Sequence, residues 1–240
     1  MNRIFENPQA LSEALGGYFA ASAHEAVQER GRFSVCLTGG SSPVALYKLL
    51  TQEPYVSTIP WEKTWVFWGD ERCVPDNDPD NNARMSFETL LDHVPVPPEQ
   101  IFRMNGVLEP GESASNYEAK LHAFFDPEDP SFDLVLLGIG ENAHILSLFP
   151  HTWVLRETVK WVCGLYIDEV KMSRITLTAE LVNKARKLAF IVYGASKAAT
   201  VAKVQNSPLD IENIPAQLIK PQSGELIWFL DEAAATKLSR

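Results

Sequence analysis

One histidine of this chain stands where a protein is able to move protons. His144 follows an apolar run of strand length over 134–137, two glycines (Gly138 and Gly140) and the polar pair Glu141-Asn142. Imidazole is the side chain whose ordinary pKa lies nearest neutrality, so it suits transfer of a proton to or from a reacting group. The end of a buried strand is also where open α/β sheets place their ligands. The residues alone allow two readings: a base presented at a strand end, or a histidine packed beside a turn.

Two further segments end apolar runs in the same way. SVCL gives way to Thr38-Gly39-Gly40-Ser41, and WVFW to Gly69-Asp70-Glu71-Arg72. Gly39-Gly40-Ser41-Ser42-Pro43 has the chemistry of an anion cradle. Glycines let backbone N–H groups approach a phosphate, the serine hydroxyls add donors, and a following helix start adds a positive dipole end. An ordinary strand-to-helix turn capped by serine fits the same residues. A serine nucleophile does not, because the G-x-S-x-G elbow is absent. In the second segment Arg72 is suited to clamp a phosphate and Asp70 to orient a histidine or a sugar hydroxyl. Glu71 reads as part of a solvated charged turn, and Trp61, Trp65 and Trp68 as core. Arg174, at the start of a strand, and Lys197, in the first turn of a helix, are further cations for an anionic ligand or simple surface charges.

Other chemistries find no support. Gly138-x-Gly140-x-x-Ala143 fits the dinucleotide fingerprint formally, yet Pro150 interrupts any following helix and no ribose-binding acid stands at the required place. His24, His93, His122 and His151 show no metal-ligand spacing, and Cys36, Cys73 and Cys163 form no CxxC pair. Neither a metal site nor a disulfide framework is expected.

The elements that must position these groups alternate. Helices are predicted over 11–27, from the Ser42 cap and Pro43 to 50, over 82–91, 112–125 and 195–204, with an Ala-rich helical end. Strands are predicted over 32–37, 64–68, 133–137, 159–167, 174–177, 188–192 and 227–230. Such alternation implies an α/β, Rossmann-like fold with a mostly parallel sheet and helices on both faces, here one domain over 1–240. If the first three strands are parallel neighbours, their loops open at one carboxyl edge, the expected ligand crevice. The Pro- and Asp-rich stretches, 126–130 among them, read as surface loops.

The 240 residues carry a formal net charge of −10, which argues against a nucleic-acid or anionic-membrane binder while leaving room for local cations around a small anion. No signal-peptide core or membrane span is evident, so a cytoplasmic location is expected.

Six ordered blocks carry a resemblance along nearly the whole chain: LTGGSSPVALYKLL at 37–50, FWGDERCVPDNDPDNNARM at 67–85, LVLLGIGENAHILSLFP at 134–150, SRITLTAELVNKA at 173–185, YGASKAATV at 193–201 and IPAQLIKPQSGELIWFLDEAAA at 214–235. The chain resembles the 6-phosphogluconolactonases of the bacterial type, in the superfamily shared with glucosamine-6-phosphate deaminase. That resemblance implies hydrolysis of 6-phospho-D-glucono-1,5-lactone in the oxidative pentose phosphate pathway, with no cofactor and a phosphorylated sugar lactone as the partner. It makes His144 the base that activates water, and carries Gly39, Gly40, Ser41, Asp70, Glu71, Arg72, Arg174 and Lys197 into the site; Ser42 joins them as an anion donor. Oligomeric state is left open.

The departures are specific. Where the family reads Asp-Gly-His-Thr, this chain reads Asn142-Ala143-His144-Ile145, and Asn81 replaces a common serine. Without that carboxylate, Asp70 or Asn142 must hold the imidazole. The change also argues against deaminase chemistry, as does Ser147-Leu148-Phe149-Pro150, which resembles the lactonases. Two alternatives remain: a deaminase-like sugar-phosphate enzyme, and a sugar-phosphate-binding homologue with impaired catalysis.

Overall fold

The computed structural model describes residues 1–128 and 130–238; Asp129, Ser239 and Arg240, and with them parts of the expected 126–130 loop and 1–240 domain, lie outside the described residues. In chain order the strands are β1 (Asn2–Phe5), β2 (Phe33–Leu37), β3 (Thr64–Trp68), β4 (Asp70–Arg72), β5 (Leu134–Leu137), β6 (Val162–Ile167), β7 (Met172–Leu177), β8 (Lys187–Val192) and β9 (Glu225–Asp231). The α-helices are α1 (Pro8–Arg30), α2 (Val44–Leu50), α3 (Tyr55–Thr58), α4 (Asn82–Thr89), α5 (Pro110–Phe125), α6 (Ala179–Val182), α7 (Ala198–Asn206) and α8 (Glu232–Ala235).

Six strands form a parallel sheet in the order β1-β9-β8-β5-β2-β3. Side chains alternate across it, as a sheet covered on both faces requires. Val135, Phe67 and Phe190 point into a core shared with α5 and the strands β6 and β7. Leu134, Leu136, Val66 and Ile191 point into a second core with α1 and α2. The predicted fold class is the one observed, and β3, β2 and β5 are adjacent, so their three polar loops do open at one edge.

A second sheet was not evident in the sequence. Strands β4, β7 and β6 form an antiparallel layer in which Asp70 stands opposite Thr176 and Arg72 opposite Arg174. Its first strand is the charged triplet Asp70-Glu71-Arg72, read above as a loop because it lacks apolar alternation. Gly69 is the hinge between layers: its N–H donates to the Leu37 carbonyl at 3.0 Å and its carbonyl accepts from the Leu177 N–H at 2.8 Å. A methyl group on Gly69 would stand 2.5 Å from a Leu146 methyl, so the close approach there needs glycine.

Several boundaries move for local reasons. Helix α1 starts earlier than predicted because the Asn7 side chain accepts from the Ala10 N–H ahead of Pro8, and it ends at Gly31 in the left-handed region. Ser42 is not a cap: Pro43 takes that position with helical backbone angles, and the helix starts at Val44 with no side-chain cap. The strand predicted over 159–167 starts at Val162, since Glu157 turns the chain by accepting from the Val159 and Lys160 N–H groups. Strand β7 begins earlier, at Met172, because hairpin pairing with β6 reaches back to that residue. The helix predicted from 195 begins with a 3-10 turn, Ala195–Lys197, before α7.

Glu71 overturns its expected solvation. It is 1% exposed. Its carboxylate accepts the N–H groups of Arg72 (2.8 Å), Asn82 (2.7 Å) and Ala83 (2.8 Å), fastening β4 to the start of α4. Burial nevertheless pushes its pKa up to about 7 against those three donors. In Glu71→Gln one carboxylate oxygen becomes an NH₂ facing an N–H, leaving a buried donor unsatisfied. Urea unfolding should show a loss of about 1–3 kcal/mol; an unchanged midpoint would show that this junction stabilises nothing.

Candidate active site

The three strand-end loops and the small sheet enclose a cleft of about 280 Å³. Among its lining residues are Gly39, Gly40, Ser41 and Ser42 after β2, Asp70 and Arg72 on β4, His144 after β5, Arg174 on β7 and Lys197 before α7. The structure thus brings together every predicted site residue except Glu71, which is buried at the junction of β4 and α4, and Asn142, which stands directly behind the histidine.

The first loop is shaped by its neighbours. The buried Tyr47 hydroxyl donates to the Thr38 carbonyl at 2.8 Å and accepts from the Thr38 N–H at 3.1 Å. Gly40 has φ of 77°, and a methyl on Gly39 would lie 1.9 Å from the Asn82 Oδ1. Gly40 thus supplies a backbone conformation that glycine adopts without penalty, and Gly39 leaves room for the Asn82 amide on α4. The hydroxyls of Ser41 and Ser42 have no hydrogen-bond partner among the described residues. Asn82, which donates to the Asp70 carbonyl at 2.9 Å, is a lining residue that the sequence reading missed.

Three cations share the cleft. Arg72 and Arg174 are cross-strand partners, an arrangement that costs energy when both carry the same charge. Each has a buried Nε with no hydrogen-bond partner. Lys197 donates to the Ile139 carbonyl at 2.9 Å, which leaves two of its three N–H donors free. Unpaired donors on like-charged groups in one cleft are what an anionic ligand would satisfy.

His144 lies against them. Its ring stacks on Phe149 with centroids 3.9 Å apart and planes 12° from parallel. Nδ1 stands 2.6 Å from the Asn142 Oδ1, which also accepts the His144 backbone N–H at 3.0 Å. The Asn142 Nδ2 donates to a Glu169 carboxylate oxygen at 2.8 Å. This orientation makes Asn142 the acceptor, so Nδ1 carries the proton and Nε2 keeps its lone pair. Nε2 has no protein partner among the described residues. A methyl on Gly140 would lie 2.1 Å from Nδ1, so glycine there makes room for the ring.

Asp70 does not hold this imidazole. Its Oδ2 accepts from the Ser147 hydroxyl at 2.6 Å, and the holding role falls to Asn142. Among the described residues no group of histidine, cysteine and acidic side chains could bind a metal.

Burial, and then the charges of Arg174, Lys197 and Arg72, lower the His144 pKa to about 4. The imidazole is accordingly neutral across the physiological range.

Residues 6–228 match the family described as glucosamine-6-phosphate isomerases/6-phosphogluconolactonase. The chain belongs to that family. It is 40% identical over 239 residues to a 6-phosphogluconolactonase of Synechocystis, covering 98% of this chain and 97% of that protein. A probable 6-phosphogluconolactonase 3, chloroplastic, of Oryza sativa subsp. indica is 39% identical over 251 residues, covering 98% of this chain and 75% of that protein. Among solved structures, the 6-phosphogluconolactonase of Trypanosoma brucei superposes with a TM-score of 0.88 at 25% identity, covering 100% of this chain and 98% of that one. No helix among the described residues is long and apolar enough to cross a membrane.

The cation field on His144 is directly measurable. Arg174→Met removes a positive charge, so the imidazole should titrate at a higher pH than about 4 in an NMR titration of its ring protons. A saturating phosphate-bearing anion should move it the same way. A midpoint insensitive to both would place the ring outside the field of these cations.

Proposed function

We propose that this chain hydrolyses 6-phospho-D-glucono-1,5-lactone to 6-phosphogluconate, the lactone step of the oxidative pentose phosphate pathway, with His144 as general base. The carrying observation is a neutral imidazole whose free Nε2 lines the same cleft as three incompletely paired cations. The named activity of the relatives at 40% and 39% identity supports the same substrate.

In this reading Arg72, Arg174, Lys197 and the Gly39–Ser42 loop hold the phosphate. The lactone carbonyl then lies near Nε2. A water between them gives one proton to Nε2 while its oxygen adds to the carbonyl carbon. The tetrahedral centre collapses by breaking its bond to the ring oxygen, and that oxygen takes the proton back from the imidazolium as the sugar acid opens. One general base contributes about 10²–10⁴-fold, and anchoring the phosphate adds orientation. Asp70, fixed by Ser147, is placed to accept from a sugar hydroxyl. Because these residues come from both sheets, we take the whole chain as one catalytic unit. The three free cysteines fit a reducing compartment such as the cytoplasm.

Deaminase chemistry is the less favoured alternative, because the position expected to hold an aspartate is Asn142, and Ser147 is engaged with Asp70. An impaired binding homologue is disfavoured by the hydrogen bond that Asn142 still makes to Nδ1.

The test is hydrolysis of freshly generated lactone, corrected for its spontaneous rate. His144→Ala should lower kcat by about 10²–10⁴-fold, and charge-removing changes at Arg72, Arg174 or Lys197 should each raise KM by roughly tenfold. Wild-type protein that releases ammonia from glucosamine 6-phosphate, or that binds 6-phosphogluconate without accelerating lactone opening, would overturn the assignment.

The pH profile gives a second check. A base must be unprotonated, so activity falls as pH drops through the His144 pKa, about 4 in the free protein. Bound phosphate offsets the cations that depress this pKa. The acid limb of kcat should therefore lie at higher pH than the limb of kcat/KM. Coincident limbs would mean that the phosphate is held away from the imidazole.

A further inference from the structure

The hairpin joining β6 to β7 reaches the back of the histidine. Its turn contains Asp168, Glu169, Val170 and Lys171. Lys171 pairs with Asp168 at 3.4 Å, and Val170 lines the cleft. Glu169 forms no ion pair among the described residues; one of its carboxylate oxygens accepts from the Asn142 Nδ2 at 2.8 Å. Asn142 passes the connection on, since its Oδ1 lies 2.6 Å from the His144 Nδ1. A carboxylate, an amide and an imidazole thus stand in line.

An asparagine beside a histidine is ambiguous as a partner. With Oδ1 toward the ring, Nδ1 must carry the proton and Nε2 is the base. With Nδ2 toward the ring, Nδ1 must be the acceptor, the proton moves to Nε2, and the catalytic lone pair is lost. The His144 backbone N–H, which donates to Oδ1 at 3.0 Å, favours the first orientation from one side of the amide, and Glu169, a carboxylate that only accepts, favours it from the other. Its negative charge also polarises the amide and favours the imidazolium that forms when water gives up its proton.

We infer that Glu169 is a positioning residue for His144, fixing through Asn142 the tautomer in which Nε2 is the base. The inference rests on the proposed role of His144 as base and adds to it a residue from a different sheet. Where the resemblance leads one to expect an aspartate beside the ring, this chain sets the acid one amide further away.

Glu169 is solvent-exposed, so its effect is that of a partly screened charge-assisted hydrogen bond. Glu169→Ala should lower kcat about three- to tenfold and leave KM within about twofold. Glu169→Gln keeps an acceptor without the charge and should fall between. The other charged groups lining the cleft with the imidazole are Asp70 and Arg72 on β4, Arg174 on β7 and Lys197 before α7, and they are unchanged in these variants. Loss of the anion should therefore move the His144 NMR titration to lower pH, and ¹⁵N shifts should show a smaller share of the Nδ1-protonated tautomer.

The decisive comparison uses Asn142→Asp, which places a carboxylate directly on Nδ1. In that background the loss on Glu169→Ala should shrink below about twofold, because the relay is bypassed. The proposal is overturned if Glu169→Ala leaves both kcat and the His144 titration unmoved. It is also overturned if the loss is as large in the Asn142→Asp background, or if only KM changes. Should the wild-type protein not open the lactone, the functional assignment fails. The titration and ¹⁵N measurements, which need no substrate, then still decide whether Glu169 sets the imidazole tautomer.

Discussion

Arg72 and Arg174 face each other across two antiparallel strands, and much of the molecule is arranged around keeping that repulsive pair in place. The position of Arg72 is set by Glu71, whose buried carboxylate collects three backbone N–H groups and fastens the short strand β4 to α4. The position of Arg174 is set by β7, paired on its other edge along the whole of β6. Gly69 lets the chain leave the parallel sheet and enter this smaller one without a break in hydrogen bonding. Each guanidinium keeps an unpartnered buried Nε, and an anion bound as proposed would satisfy it.

Burial, and with it the same cations, sets the charge state of His144, the proposed base. A solvated histidine at neutral pH would be partly protonated beside an anion, and an imidazolium is not a base. Here burial against Phe149 and the positive field act in one direction and keep the ring neutral before substrate arrives. A strongly depressed pKa alone would make a poor proton acceptor. In the proposed mechanism a phosphorylated ligand would remove that difficulty, since its charge would offset the field at the moment the base is required. On that proposal, anion recognition and base strength would be one electrostatic property of the cleft.

Most of the scaffold was legible because buried parallel strands announce themselves: SVCL, WVFW and LVLL are predominantly apolar runs, each ending in glycine-containing polar loops. The convergence of those loops followed from strand order, and His144, Gly39, Gly40, Arg72, Arg174 and Lys197 were found from it or from the resemblance. The small sheet was hidden for a physical reason. Its first strand consists of Asp70, Glu71 and Arg72, whose sequence resembles a solvated turn, and only the tertiary setting buries Glu71. Edge strand β1 was missed because its four residues alternate between exposed and half-buried. Glu169 carried no local signal at all, as a hairpin tip rich in charge is the commonest kind of surface. Its contact with Asn142 spans 27 residues of sequence and needs the β6–β7 hairpin to fold over the histidine loop.

The histidine loop departs from the family pattern at three positions, and the two that precede the histidine have different physical meanings. Asn142 gives up a charge but keeps the acceptor, so the geometry of the ring survives and its electrostatic support is weakened. Ala143 keeps the backbone path but adds a methyl where φ is 65°, a conformation that glycine adopts without penalty. A non-glycine residue there carries strain of roughly 1–2 kcal/mol, and the surroundings hold it in place. Ala143 donates to the Gly140 carbonyl at 3.0 Å, its own carbonyl accepts from Ala216 at 3.0 Å, and its methyl is buried. These contacts fix the loop alongside the bond that the Asn142 Oδ1 accepts from the His144 backbone N–H. In the proposed mechanism that rigidity would let an amide stand in for a carboxylate: placing the ring needs only an acceptor of the correct orientation, and the charge would come from Glu169 on the β6–β7 hairpin.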